Sequence, residues 1–103
     1  MTTVTLSREL DASADVVRET IRSDLAGFIR ASGFDSVTED GDSYVVARDI
    51  GMATFELTLT VRDSETVLYM EQTEGMFDEM GTDYQVEPTE DGSQITATTE
   101  FTL

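Results

Sequence analysis

The fold is decided by the segment Met52-Ala53-Thr54-Phe55-Glu56-Leu57-Thr58-Leu59-Thr60-Val61-Arg62, in which apolar and polar residues alternate from Phe55 onward. Successive side chains of a β-strand point to opposite faces of its sheet. One face of this segment therefore carries Phe55, Leu57, Leu59 and Val61, and the other carries polar residues. This pattern predicts a long strand with one buried and one wet face.

Five further strands are predicted around this segment by the same alternation and by turn residues at short intervals. Asp40-Gly41-Asp42 is typical of a tight hairpin, Asp63-Ser64 predicts a second turn, and residues 88–92 predict the last one. Because short connections join antiparallel neighbours, the strands should form a meander. The predicted strands cover residues 34–39, 43–49, 52–62, 65–74, 77–87 and 95–103.

The first third of the chain predicts one strand and two short helices. Val4 to Leu10 alternates as a strand does. Ser13 is a suitable N-cap for a helix that runs to about Arg22, and Gly33 is a natural stop for a second helix. A single kinked helix, broken at Ser23 or Gly27, is the alternative. The predicted fold is α+β: one strand, two short helices and a six-stranded antiparallel meander that forms a curved sheet, in one domain over residues 1–103.

The charge balance is extreme, with 22 acidic residues against six basic ones, all arginine, and a net charge of −16. Repulsion of this size destabilises a compact chain at low salt, and high salt screens it. We therefore expect an acidic protein of a halophile, adapted to high salt. An acidic mimic of nucleic acid and a cation-binding protein are the alternatives, but the acids are scattered along the whole chain. No basic stripe is present to neutralise phosphates, so nucleic-acid binding is not expected.

Cysteine and histidine are both absent from the chain. Disulfides, thiolate metal sites and nucleophile systems that need His or Cys are thereby excluded. We expect no cofactor, no metal site and no catalytic residue. The N-terminus has no signal-peptide pattern, and no apolar run approaches the ~18 residues of a membrane span, so a soluble cytoplasmic protein is expected.

Three stretches carry a resemblance to a known superfamily: residues 4–17, with the entry Leu10-Asp11-Ala12-Ser13, residues 71–80 and residues 95–101. Together with the order of the elements, they resemble the START-related helix-grip superfamily (SRPBCC), and in particular its small haloarchaeal members. This superfamily includes lipid-transfer domains, polyketide cyclases and aromatases, and pollen-allergen-like proteins. Its members continue into a long C-terminal helix that closes a cavity over the concave sheet face. The sequence ends at Leu103, before such a helix, so we expect either a domain truncated there or a shorter variant that covers its apolar face in another way.

The resemblance implies a ligand cavity against the concave face. We expect it to be lined by Phe55, Leu57, Tyr69, Met80, Tyr84 and Phe101, with Arg48 and Glu71 as polar residues that orient a ligand. Glu71 and Gln72 interrupt an apolar run in a central strand, so one of them should point inward. The inward residue could also be purely structural, either as Gln72 or as a glutamate paired with Arg48.

Three functions remain open at this point. The first is a START-like, lipid-binding type of module that holds an apolar or amphipathic small molecule without catalysis. The second is an enzyme of the polyketide cyclase or aromatase type, in which a buried carboxylate moves protons. The third is a structural homodimerisation module. A homodimer is expected because the apolar face would exceed what a monomer usually exposes; this face carries Phe55, Leu57, Leu59, Ile95, Ala97, Phe101 and Leu103.

Overall fold

The computed structural model of the chain describes residues 1–62 and 66–102, and within them it shows seven strands and two helices. The predicted order of elements is confirmed. The elements are β1 Thr2–Leu10, α1 Ala14–Ser23, α2 Leu25–Ala31, β2 Ser36–Asp40, β3 Ser43–Ile50, β4 Ala53–Arg62, β5 Leu68–Glu74, β6 Glu79–Pro88 and β7 Ser93–Thr102.

Most strands begin or end one to three residues away from the predicted positions, and the differences at β5 and β6 matter most for the site. Strand β5 begins at Leu68 instead of residue 65, and β6 begins at Glu79 instead of Phe77. The second shift arises because Phe77 is held in a turn by the side chain of Gln72. The predicted turn at Asp63-Ser64, the predicted strand start at Glu65 and the apolar residue Leu103 lie outside the described residues.

All strands form one antiparallel sheet in the order β1-β7-β6-β5-β4-β3-β2. The last strand, β7, pairs with β1 and so brings the first and last described strands together. The edge strands are therefore β1 and β2. The register between β4 and β5 shifts at Thr58/Leu59, which is the irregularity expected of a β-bulge.

The two helices are separated by Asp24, and neither Ser23 nor Gly27 is the break. Asp24 ends α1 with a non-helical backbone, and its carboxylate accepts a hydrogen bond from the Gly27 N–H at 3.1 Å, which caps α2. Ser13 caps α1 as predicted, through a 3.4 Å hydrogen bond from the Val16 N–H. One short polar residue thus serves both helices and turns the chain between them.

The helices pack on one face of the curved sheet, which we call the inner face; the opposite side is the outer face. Ile29 of α2 and Val46 of β3 have no exposed surface. The predicted buried side of β4 is confirmed, since Leu57 and Leu59 join this core. The other buried apolar residues are Ala14, Val17, Ile21, Tyr44, Leu68, Met70, Tyr84 and Val86.

The acidic side chains lie almost entirely in water. Within residues 1–62 and 66–102, every Asp and Glu is exposed except Asp83, which is half-buried. Over the same ranges only two ion pairs form, Arg18 with Asp15 at 3.3 Å and Arg62 with Glu71 at 3.1 Å. Most of the negative charge is therefore unpaired. None of the described helices is long and apolar enough to cross a bilayer.

We expect the thermal midpoint to rise when NaCl is raised from about 0.1 M to about 2 M, because screening weakens the repulsion between these carboxylates. The variant Glu100→Gln should melt roughly 2–4 °C higher than the parent at low salt, equivalent to about 0.5 kcal/mol. Differential scanning calorimetry at both salt concentrations measures this. The gain should vanish at high salt, and a gain that is equal at both concentrations would contradict an electrostatic origin.

Candidate ligand-binding site

The inner face is only partly covered by the helices. Helix α1 packs against β6 and β7, and α2 packs against β2. Phe55 stays 38% exposed, while Phe77, Met80 and Phe101 are half-buried. On β1, Val4 is 43% and Leu6 68% exposed. We call the set Val4, Leu6, Phe55, Phe77, Met80 and Phe101 the open apolar surface.

A turn at residues 75–77 folds over this surface and is fixed by Gln72. The Gln72 amide donates to the Phe77 carbonyl at 2.8 Å and accepts from the Phe77 N–H at 3.3 Å. The Phe77 ring then packs against the Phe101 ring, with centroids 5.3 Å apart. Gly75 suits this turn because its φ of 156° is one that other residues rarely adopt, and a Cβ here would also press on the Leu57 and Gln72 side chains. The turn therefore orders one wall of the open apolar surface.

Arg48 lies beside this surface. It is directly opposite Phe55 in the β3–β4 ladder, so both side chains project from the inner face. Arg48 is exposed, and no carboxylate in the described part of the chain forms an ion pair with it. Its guanidinium is available to an anionic group bound next to Phe55.

Leu57 and Tyr84 lie on the inner face but belong to the closed core. Leu57 is 8% exposed, and so is Tyr84. The Tyr84 ring meets the Phe28 ring of α2 edge-to-face, with centroids 4.9 Å apart. Burial raises the pKa of Tyr84, and a hydrogen bond with Ser32 opposes that rise only in part. The two residues are therefore part of the buried core next to the open apolar surface.

Tyr69 and Glu71 lie on the outer face, which corrects their expected placement in the cavity. They alternate with the buried residues Leu68 and Met70 on β5 and so point the other way. Glu71 accepts a 3.1 Å hydrogen bond from Arg62, and the Tyr69 hydroxyl lies over Gly81. The inward member of the pair is Gln72, and the partner of Glu71 is Arg62 instead of Arg48.

The environment of Tyr69 is strongly acidic. Burial raises the pKa of Tyr69, and the carboxylates of Glu71, Glu100 and Asp83 raise it further. These three carboxylates share the outer face with Tyr69, because their positions are in register across β5, β6 and β7. The outer face is thus a wet, negatively charged surface.

Carboxylates are segregated between the two faces of the sheet. Alternation and register put every described strand carboxylate on the outer face, apart from Glu39 on the edge strand β2. For Glu74, which follows the register shift, the face is set by its pairing with the outer-face residue Thr58. The inner face of the five strands β1 and β4–β7 carries no described carboxylate. The outer-face set is Glu9, Asp40, Asp49, Glu56, Glu71, Glu74, Glu79, Asp83, Glu87 and Glu100.

A separate cleft of about 490 Å³ opens where the start of α1 meets the β6–β7 turn. Its walls include four carboxylates and the Arg18 side chain. Arg18 donates to the Val86 carbonyl at 2.6 Å and bridges to Asp15, so it is already engaged within the protein. No group of three or more acidic residues suited to a metal ion was found among the described residues.

Three site features were missed at the sequence level. Val4 and Leu6 were assigned to a strand, but their exposure depends on which strands the helices cover. The two hydrogen bonds between the Gln72 side chain and the Phe77 backbone depend on the shape of a turn that no sequence motif predicts. The outward direction of Tyr69 and Glu71 could have been found, since both are out of phase with Leu68 and Met70.

No protein-family model and no curated protein sequence matches the chain. Solved structures match it over nearly its whole length. A protein from Thermus thermophilus, TTHA0849, superposes with a TM-score of 0.79 at 15% identity, over 99% of this chain and 75% of that one. A START superfamily protein from Mycobacterium smegmatis gives 0.69 at 16% identity, over 98% and 78%.

A third similar structure is norcoclaurine synthase from Thalictrum flavum, in complex with dopamine and hydroxybenzaldehyde. It gives a TM-score of 0.69 at 20% identity, over 97% of this chain and 68% of the synthase. The chain has the START-related helix-grip fold. At these identities the likeness establishes the fold alone.

The helix-grip fold accounts for the geometry of the open apolar surface. Its sheet is curved and open on the side of the helices, and inner-face residues of β4, β6 and β7 stay partly exposed there. Of the eight expected site residues, the fold brings Arg48, Phe55, Met80 and Phe101 to the open inner face. Leu57 and Tyr84 lie in the core beside them.

The raised pKa of Tyr84 predicts a loss of stability at alkaline pH. A tyrosine with a folded-state pKa above its ordinary value of about 10 stabilises the fold fully below pH 10, and this contribution is lost as pH rises through the folded-state pKa. Chemical denaturation between about pH 9 and 11.5 should show a falling free energy of unfolding. The fall should be shallower in Tyr84→Phe.

Tyr69→Phe serves as the matched comparison. Part of the Tyr69 shift comes from carboxylates, so its contribution should shrink in about 2 M NaCl, whereas the burial of Tyr84 is insensitive to salt. Identical pH slopes for the parent and Tyr84→Phe would show that Tyr84 ionises equally in the folded and unfolded chain.

Proposed function

We propose that the chain binds an apolar or amphipathic small molecule on the open apolar surface of its inner face. The observation that carries this proposal is the segregation of carboxylates. A chain with a net charge of −16 keeps described acids off the inner face of β1 and β4–β7, even where no helix covers these strands. An exposed aromatic surface of this kind favours an apolar ligand over bulk water.

The neighbouring residues suit an amphipathic ligand. Phe55, Phe77 and Phe101 offer ring surfaces, and Met80 adds a flexible side chain that adapts to irregular shapes. Arg48, next to Phe55, supplies a positive group at the margin. The synthase with the same fold holds two small aromatic compounds, which supports a small-molecule site in this chain.

Binding without catalysis is favoured over a polyketide cyclase or aromatase type of enzyme. Such an enzyme needs an acid or base within reach of the bound molecule. Glu71, the candidate for that role, is on the outer face and paired with Arg62. The described central strands offer no other carboxylate to the inner face.

A structural homodimer that covers the inner face is the second candidate. The exposure of Phe55, and of Met76 at 53%, favours it because apolar patches are often interfaces. Native mass spectrometry of the protein purified in high salt separates the two candidates. A retained adduct of a few hundred daltons, the scale of a pocket ligand, supports binding. A dimer without adduct that is lost in Phe55→Ser supports an interface on the inner face.

We also propose that the chain works in the salt-rich cytoplasm of a haloarchaeal type of cell. The support is the exposure of its described acids and the complete absence of lysine. High internal salt would screen the repulsion along the outer face.

The ligand proposal predicts that Phe55→Ser weakens the binding of 1-anilinonaphthalene-8-sulfonate, an amphipathic anion, about tenfold. Loss of one ring contact of roughly 1.4 kcal/mol corresponds to that factor. Fluorescence titration in high salt measures the affinity, and circular dichroism checks the fold.

Tyr69→Ser is the matched control, because it removes an aromatic ring from the outer face of the neighbouring strand. Its affinity should equal that of the parent. An equal loss in both variants would mean that the probe reports general loosening, and no loss in Phe55→Ser would remove the inner face as the site.

A further inference from the structure

The two edges of the sheet are protected very differently. Edge strand β2 has five residues, includes Glu39 and Asp40, and is flanked by Asp35 and Asp42. Short length and charge are the usual means by which proteins prevent an edge from pairing with another chain. Edge strand β1 has nine residues, all of them exposed except Leu10, and has no acidic residue before Glu9.

The surface around β1 is built from two acid-free segments that the fold brings together. Residues 1–8 contain no Asp or Glu, and residues 92–99 of the paired β7 segment contain none either, in a chain with 22 acids. The outer face of this pair carries hydroxyl groups, with the Ser7 and Thr96 hydroxyls 3.1 Å apart. Its inner face carries the exposed side chains of Val4 and Leu6.

These features select a second copy of the same chain as the partner. Two molecules with a net charge of −16 repel one another, so they can approach closely only where acids are absent. Among the residues that the structure describes, strand β1 pairs only with β7, so its other side presents backbone N–H and C=O groups that no described strand engages. The acid-free region and the unpaired edge coincide on β1.

We propose that β1 pairs antiparallel with β1 of a second copy about a two-fold axis at Thr5, which joins the two sheets edge to edge. Such an interface is isologous, as is usual for homodimers. Val4 then lies opposite Leu6 of the partner subunit on the inner side. Thr3 lies opposite Ser7 of the partner subunit on the outer side.

This register is favoured over its neighbours by apolar and charge matching. With the axis at Thr5, Arg8 faces Thr2 of the partner subunit and no like charges oppose each other. With the axis at Leu6, Val4 would face Arg8 of the partner subunit. Only the Thr5 register pairs both exposed apolar residues with each other and keeps nearly all of β1 in the ladder.

The interface is small, because it consists of one strand pair and four apolar side chains. Interfaces below about 1,200 Å² are typical of weak association. The dimer should therefore depend on concentration and strengthen with salt. It engages only Val4 and Leu6 of the open apolar surface and leaves Phe55 accessible, so it does not depend on the proposed ligand and differs from a dimer that covers the inner face.

Cysteine cross-linking tests the register directly, since the chain has no cysteine of its own. Directly opposed residues of an antiparallel pair have Cα atoms roughly 4.5–5.5 Å apart, within the range for a disulfide. Thr5→Cys should form a disulfide-linked dimer under mild oxidation in high salt. Thr38→Cys, at an exposed position on the β2 edge, is the matched control and should stay monomeric.

Two more single-cysteine variants fix the alignment. Thr3→Cys alone should cross-link poorly, because its copies would lie more than about 7 Å apart, and so should Ser7→Cys alone. A mixture of the two should cross-link as readily as Thr5→Cys. A Thr5→Cys protein that stays monomeric, or links no faster than Thr38→Cys, would overturn the proposal.

A variant without cysteine gives an independent measurement. Leu6→Lys places a charge opposite Val4 of the partner subunit at the centre of the proposed interface. It should raise the dimer dissociation constant at least about tenfold, a change of about 1.4 kcal/mol. Sedimentation equilibrium measures this constant. The circular dichroism spectrum should not change. A dimer that survives Leu6→Lys but is lost in Phe55→Ser would place the interface on the inner face and refute edge pairing.

Discussion

The main constraint on this structure is that the chain must keep its mutually repelling carboxylates in water and still bury an apolar core. A sheet with strictly alternating side chains solves this, because each strand can send its acids to one face and its apolar residues to the other. Glu56 on β4, Glu71 on β5 and Glu100 on β7 all follow this rule. The helices then need to cover one face only, and the acidic face can be left to solvent.

The same constraint explains why the few basic residues are used individually. Arg62 neutralises Glu71 within the outer face, and Arg18 fastens α1 to the backbone of β6 through the Val86 carbonyl. Arg48 and Arg8 are both on the inner face with no described carboxylate as a partner, but only Arg48 lies opposite the exposed Phe55. In a chain with so much unpaired negative charge, an arginine without a described ion pair next to an exposed phenylalanine is well suited to bind the anionic group of an amphipathic ligand.

The order of elements, the two helices and the buried side of β4 could be predicted because each rests on local signals: period, caps and turn residues. The sequence predicts Ser13 as an N-cap. It does not predict the role of Asp24, because a cap shared by two helices depends on where α1 ends and α2 begins. The misplacement of Tyr69 and Glu71 had another cause. Their residue types are typical of a ligand site, but Leu68 and Met70, which alternate with them, fix the phase of the strand and point them outward. Exposure of Val4 and Leu6 could not be predicted, because it depends on how far the helices extend across the sheet.

The open inner face and the unprotected β1 edge are two consequences of one arrangement. Helix α1 covers β6 and β7 near Val86 and Ser93, so β1 lies beyond the helices and its apolar residues stay in contact with water. Val4 and Leu6 therefore belong both to the open apolar surface and to the acid-free edge. Pairing at that edge would extend the inner face across two copies without covering Phe55 or Phe101. Ligand binding and edge pairing are thus compatible, whereas a dimer that buries the inner face would exclude the ligand.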